Sequence, residues 1–400
     1  MTGFVHPIAR GWVVRDAVPG PNVDEFGEPD QVRAALARPG AADGTLLAVQ
    51  HPHRTPTALA EGLDLLSALP IAHAALARLR AEHYRRVDDV IALSWGDGPD
   101  GEAIGIICIV DPTAVLPNGL TFVRHTEDVY PEVVAERAAV IKGLGCATSS
   151  AMLIPADGGR RFSELVARTI GEMGDPDVST VDVKGRRERL WLLGPGERQD
   201  EIIATAQRES LLVADGNHRV AAATLAGKGS LLALVTGGPD LRIGPINRVL
   251  VHTGLTIDDL AVRWTATGLH VQPAEDRTPE TGVVVVVAGS TALKVTLPGD
   301  ELDHQAVERL MVAQALDIEP AKVLRPLYEG QTPRPDADAV VLIAPVRRQD
   351  MLAIHAAGHR MPRKATYFTP KPRSGLLLAD IGWSRSVDSP RWGSWGGTVS

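Results

Sequence analysis

The sequence has 400 residues, more than one hydrophobic core usually holds, so two lobes are expected. Its formal charge of −8 argues against a nucleic-acid binder working through bulk positive charge. Two cysteines, Cys108 and Cys146, are too few for a disulfide framework or a thiolate zinc site. The longest apolar runs, such as Val283 to Ala288, are far too short to span a bilayer as a helix.

The start, Met1 to His6, shows no basic stretch followed by an apolar one, so no signal peptide is expected and the cytoplasm is the expected compartment. The N-terminal stretch through Gly20, Pro21 and Asn22 reads as extended and turn-rich. Helical patterns follow at Pro29 to Arg38 and from Thr57 to Arg86, the latter broken near Pro70. Val90 to Trp95 and Ala103 to Val110 read as strands. Tyr130 to Leu144 reads as a helix with Pro131 in its first turn, and Phe162 to Met173 as another. Ser179 to Val183 and Arg189 to Leu193 flank a turn at Lys184-Gly185, which predicts a hairpin.

A helix over Asp200 to Ser210 then leads to a buried strand, Leu211 to Ala214, a turn at Asp215-Gly216-Asn217, and an alanine-rich helix from Val220 to Leu225. Leu231 to Val235 is a further strand, and this alternation is the α/β signature. Beyond it, Leu255 to Gly268 is helical, and Thr281 to Val287 pairs with Ala292 to Leu297. Val307, Leu310, Met311 and Ala315 recur at helical spacing within Ala306 to Leu316. Val340 to Ala344 reads as a strand and Gln349 to Ala357 as a helix. The expected division is an α/β domain over 1–254, a smaller α+β lobe over 255–381 and an irregular tail over 382–400.

Familiar motifs are rejected first. Gly227-Lys228-Gly229-Ser230 lacks the upstream glycine and the Ser or Thr after lysine that a P-loop needs. Gly96-Asp97-Gly98-Pro99-Asp100-Gly101 formally matches G-x-G-x-x-G but leads into a strand, so it reads as a hairpin loop. There is no H-E-x-x-H, C-x-x-C or G-x-S-x-G.

Three stretches carry chemistry. At Asp215-Gly216-Asn217-His218-Arg219 a buried strand ends where a helix begins. Unpaired N–H groups there suit an anion, with Gly216 giving a sharp turn, Asn217 the N-cap and Arg219 a fork of donors. The alternative is an ordinary capped turn in which Asp215 pairs with Arg219. Arg124-His125-Thr126-Glu127-Asp128, followed by Glu136 and Arg137, would bind metal or supply a base, or would simply cap a helix with acid. The run from Met361 to Gly375 clusters Arg363, Lys364, Lys371 and Arg373 around Tyr367 and Phe368. It is a phosphate-closing loop or a solvated basic one.

These stretches together resemble the bacterial and archaeal domain of unknown function 1015 family, which is grouped with the ParB and sulfiredoxin superfamily and with free serine kinases. Ala214-Asp215-Gly216-Asn217-His218-Arg219 matches A-D-G-H-H-R. Met361 to Phe368, Pro370-Lys371 and Ser374-Gly375-Leu376 match M-P-P-K-S-T-Y-F, P-K and S-G-L, and Glu127 to Arg137 matches H-E-D-V…D-R. The likeness runs from about His6 to Ile381. Asn22, Thr126, Asn217 and Asn247 stand at positions where this sequence departs from the family pattern. Asn217 also occupies the place of the sulfiredoxin cysteine.

The resemblance implies a ParB/sulfiredoxin-like nucleotide-binding core and a phosphotransferase acting from ATP or ADP, with Mg²⁺, on a small serine-like hydroxyl compound. The alternative is a regulatory protein that binds nucleotide without turnover. Glu127, Asp215 and His218 would be catalytic, with Glu127 the base and Asp215 the metal ligand. Gly216, Asn217, Arg219, Arg137, Lys364, Thr366, Tyr367, Lys371 and Arg373 would hold the nucleotide. No nucleic-acid or membrane partner is expected, and a homodimer is left open.

Overall fold

The long strand Tyr84–Gly98 organises the larger sheet. Its first half pairs antiparallel with Ile8–Val14, Val14 standing opposite Tyr84. Its second half pairs with Gly101–Val110 on one side and Arg187–Leu193 on the other. A strand that changes partner midway must twist between them, and the sheet curls into a half-barrel. Gly98 stands opposite Gly101, so the glycine-rich stretch is the hairpin turn expected of it. This computed structural model describes residues 3–26, 29–182, 184–227, 229–299 and 301–382. The tail beyond Gly382, expected to be irregular, lies outside the described residues.

Alternation across the strand fills two cores. Val90 and Ala92 face one with Leu376, Leu377 and Leu378, while Ile91 and Leu93 face the other with Phe122 and Val213. From Tyr84–Gly98 the sheet continues through Gly101–Val110, Leu231–Pro239, Ala151–Pro155 and Leu211–Asp215 to the short Val123–Arg124. In the other direction it passes Ile8–Val14 to the C-terminal strand Leu377–Asp380 and Cys146–Ala147. Leu231–Pro239 runs parallel to Ala151–Pro155 and antiparallel to Gly101–Val110, so the sheet is mixed and the protein is of mixed α/β class. A second, antiparallel sheet takes Ile246–Val251, Leu324–Tyr328, Ala337–Leu342 and the hairpin Val283–Ala288/Thr291–Thr296, over a core built on Trp264. Both cysteines are free and buried. Among the described residues no helix is long and apolar enough to cross a membrane.

Several boundaries differ from expectation. The helix expected to reach Arg86 ends at His83, because Tyr84 must enter the core, where it is 1% exposed. The helix expected over Asp200 to Ser210 occupies Glu197–Ala206, with two acidic residues in its first turn. The stretch expected as a regular helix from Ala306 is a short turn, Asp303–Ala306, followed by a π-helix over Val307–Gln314 that still buries Val307, Met311 and Val312.

Candidate phosphate site

Leu211–Asp215 is buried from Leu211 to Ala214 and ends as Asp215 emerges. The helix Asn217–Ala226 begins two residues later, and Gly216 between them is left-handed, with φ +94°. A Cβ on Gly216 would lie 2.7 Å from Arg219 Nε and 3.3 Å from Ala151 Cβ, so glycine is required both by its backbone angle and by close approach. The N-cap is Gly216 itself, not Asn217 as expected. Asn217 is the first helical residue, and its buried side chain turns inward to Thr126. Its Oδ1 accepts from Thr126 N at 3.2 Å and faces His125 Nδ1 at 3.1 Å, while Nδ2 donates to Thr126 Oγ1 at 3.3 Å. Helix Pro131–Leu144 packs on this helix through Val134, Ala138 and Ala222, small enough to bring Arg137 to the same opening.

All twelve residues singled out in the sequence line one cleft of about 1420 Å³. What they do there differs. Asp215 offers one carboxylate oxygen to Lys371 Nζ and the other to Arg219 Nη2. Burial alone would raise its pKa, yet Lys371 and Arg219 hold it well below the usual carboxylate range. The Asp215–Arg219 pair is what an ordinary capped turn would also contain. Arg219 reaches further, to Asp24 at 3.3 Å, and Asp24 in turn accepts from Ser374 Oγ. With both oxygens taken by cations, Asp215 does not suit the Mg²⁺ ligation expected of it. Among the described residues no group of three or more His, Cys, Asp or Glu side chains is placed for a metal.

Glu127 also has an occupation other than the base expected. Its Oε1 accepts from Ala365 N at 3.1 Å, Thr366 N at 2.7 Å and Thr366 Oγ1 at 2.6 Å, and its Oε2 from Lys364 N at 3.1 Å. On the opposite side of that loop, buried Arg248 donates to the carbonyls of Arg363 at 3.2 Å and Lys364 at 3.1 Å. One carboxylate thus gathers the N–H groups and one guanidinium the carbonyls, and Lys364 is held between them at φ +57°. Met361, Ala365 and Phe368 are buried against Met152, Ile154 and Leu212 of the sheet, while Lys364, Thr366 and Tyr367 face the cleft. The basic run is therefore a fastened loop rather than a solvated one.

His218 is stacked on Tyr130, centroids 5.7 Å apart, and Arg363 lies over the Tyr130 ring at 4.3 Å. Its Nε2 accepts from Tyr130 N at 3.0 Å, so the neutral ring carries its proton on Nδ1. Burial, then Lys364 and Arg137, push its pKa down to about 4. It can donate a hydrogen bond but is not a cation at neutral pH. Arg373 is turned to the backbone, donating to Val18 O at 3.2 Å and Gly20 O at 2.6 Å, and serves the cleft as a brace. Lys371 lies 4.6 Å from the Tyr367 ring centroid. Arg137 and Lys364 have no carboxylate at ion-pair distance among the described residues, and Lys364 leans on Tyr328. Sequence reading missed Asp24 and the segment Gln50 to Arg54, which also line the cleft. The one signal available was the density of polar residues in Gln50-His51-Pro52-His53-Arg54.

The family model described as protein of unknown function (DUF1015) matches residues 92–318, more than half of the chain. The chain belongs to the DUF1015 family. No curated protein matches it. Among solved structures, a conserved hypothetical protein from Pyrococcus furiosus is 12% identical, covering 66% of this chain and 90% of its own at a TM-score of 0.38. A free serine kinase in complex with AMP is 12% identical, with coverages of 68% and 92% and a TM-score of 0.39. SbnI with a C-terminal truncation, from Staphylococcus aureus, is 12% identical, with coverages of 64% and 83% and a TM-score of 0.39. The departures of this DUF1015 member from the family pattern have structural employment. Thr126 and Asn217 bond to each other, Asn22 Oδ1 accepts from Ser374 N at 3.4 Å, and Asn247 Oδ1 accepts from Ile343 N at 3.0 Å.

Proposed function

We propose that the cleft binds the phosphates of a nucleotide, ATP or ADP, and serves phosphoryl transfer to a small hydroxyl compound. The observation that carries this reading is the meeting of a helix N-terminus with cations that, among the described residues, no carboxylate holds at ion-pair distance. The first N–H groups of helix Asn217–Ala226 lack intrahelical partners, and Arg137 and Lys364 line the same opening with no acid at ion-pair distance among the described residues. Phosphoryl transfer asks chiefly for positioning and positive charge, which is what these residues supply. Arg219, kept in place by Asp24 and Asp215, would hold phosphate oxygens; neutral His218 would donate from Nδ1; Tyr367 would wall the cleft beside Lys371. Any Mg²⁺ would have to be carried on the phosphates, since Asp215 is engaged.

A second reading, a nucleotide-binding regulator without turnover, is favoured by one observation: Glu127, the expected base, accepts four hydrogen bonds from the Lys364–Thr366 loop. Calorimetric titration with ATP and ADP tests the common ground. Arg219→Ala and Lys364→Ala should each weaken binding by about 1–3 kcal/mol, the range for a hydrogen bond to charge. Nucleotide affinity absent in the wild type, or unchanged in both variants, overturns the phosphate site. Turnover with a hydroxyl acceptor then separates enzyme from regulator.

A further inference from the structure

We propose that a second lobe of the cleft, formed by Gln50, His51, His53, Arg54, Thr148 and Ser149, receives the hydroxyl compound, and that this compound carries an anionic head, a carboxylate or a phosphate ester. The inference rests on the phosphate reading above and names the chemistry of its other substrate. All six residues line the cleft that holds the Asp215 turn, and Arg137 lines it between the two groups' charges. The segment is fixed from below: Leu46 to Val49 of helix Leu46–Gln50 are buried, and Pro52–Arg54 forms a single tight turn.

The polar atoms are arranged as donors. Gln50 Nε2 donates to Thr148 Oγ1 at 3.0 Å and to Ser149 Oγ at 2.7 Å, so both hydroxyl protons are directed elsewhere. Arg54 Nε donates to His53 Nε2 at 3.0 Å, which places the His53 proton on Nδ1. That Nδ1 is buried and has no hydrogen-bond partner among the described residues. Burial and the neighbouring Arg137 and Arg54 push His51 down to about 3, so it is a neutral hydrogen-bonding group. Arg54, the two hydroxyls and the imidazoles of His51 and His53 stand with Arg137 near three carboxylates, of which Asp24 and Asp215 are paired with Arg219 and Glu136 is exposed. Such a donor surplus selects an oxyanion and leaves a neutral polyol poorly paired.

The test uses the full-length protein and three probes of one carbon skeleton: D-glycerate, glycerol 3-phosphate and glycerol, each titrated calorimetrically with and without ADP. At least one anionic probe should bind, glycerol should bind at least tenfold more weakly, and Arg54→Gln should weaken the anion by about tenfold or more. Nucleotide affinity should be unchanged in Arg54→Gln and in Gln50→Ala. Glycerate against glycerol 3-phosphate tells which anion is held. If ADP binds and neither anion does, or glycerol binds equally well, the inference fails while the phosphate reading stands. If the anion binds and responds to Arg54→Gln but no nucleotide binds, the phosphate reading fails and the subsite remains.

Discussion

Replacing Glu127 by glutamine separates two roles for that side chain. As a base it would matter to the chemical step alone. As the fastening of the Lys364 loop it should matter to folding and to binding. The carboxylate takes three N–H groups and one hydroxyl, at 2.6 to 3.1 Å, and is 8% exposed. Glutamine keeps one acceptor oxygen but sets an NH₂ against the Lys364 N–H, so one charged hydrogen bond is lost outright and the others fall to neutral strength. At about 1.5–3 kcal/mol for a charged bond and about 1 kcal/mol for a neutral one, the four bonds together lose at least about 3 kcal/mol, so Glu127→Gln should cost about 3 kcal/mol or more. Urea unfolding followed by tryptophan fluorescence measures it, and calorimetric titration with ADP should show affinity weakened about tenfold, because Lys364 is no longer held toward the cleft. An unchanged urea midpoint together with unchanged nucleotide affinity would refute the fastening role and restore the base.

Three further outcomes are expected. Lys371→Met removes one of the two cations on Asp215 and should destabilise the fold by about 1–3 kcal/mol, with most of the loss recovered in the double variant carrying Asp215→Asn; failure of the pair to couple in that cycle sinks the ion pair as a stabilising element. Gly375→Ala forces φ +87° on a residue whose new Cβ would lie 2.1 Å from Leu46 Cδ1, and should cost about 2–4 kcal/mol by urea denaturation, whereas Gly40→Ala, which has no atom within 4 Å, should cost less. Burial first, then neighbouring cations, holds His51, His218 and His304 at about 3, 4 and 3. The unfolded chain therefore binds protons below about pH 6.5 that the folded one does not. Stability should decline as pH falls from 6.5 toward 4, by at most about 2 kcal/mol per histidine at pH 5, and a flat profile between pH 7.5 and 5 would contradict it.

The strand–turn–helix at Leu211 to Ala226 was legible because its signals are local: a buried apolar run, a glycine, then alanines at helical density. The fastened loop was half legible. Its cations and aromatics stood out, but the apolar residues that pin it, Met361, Ala365 and Phe368, are interleaved with them and show no regular period. What Glu127 does was illegible, since its partners are backbone N–H groups more than 230 residues away. Asp24 and Gln50 to Arg54 were missed for the same reason: they reach the cleft only through the closing of the sheet, which no spacing announces. Asn217 looked like an N-cap because asparagine often is one; here Gly216 takes the cap, and the amide serves Thr126.

The walls of the cleft come from the whole length of the polypeptide: Asp24 early, Glu127 and Arg137 later, Asp215 to Arg219 past the middle, Lys364 to Ser374 near the end. The strand Leu377–Asp380, coming last, inserts between Ile8–Val14 and Cys146–Ala147. During synthesis at roughly 5–20 residues per second, the earlier segments must wait tens of seconds for partners that have not yet been made. A product terminated before Lys364 would leave Asp215 without Lys371 and the cleft without its last wall. Conversely, a ligand spanning these segments joins the two ends of the translation product. Its binding free energy would then resist the opening of the entire half-barrel, and saturating nucleotide should slow the protein's degradation as well as occupy a site.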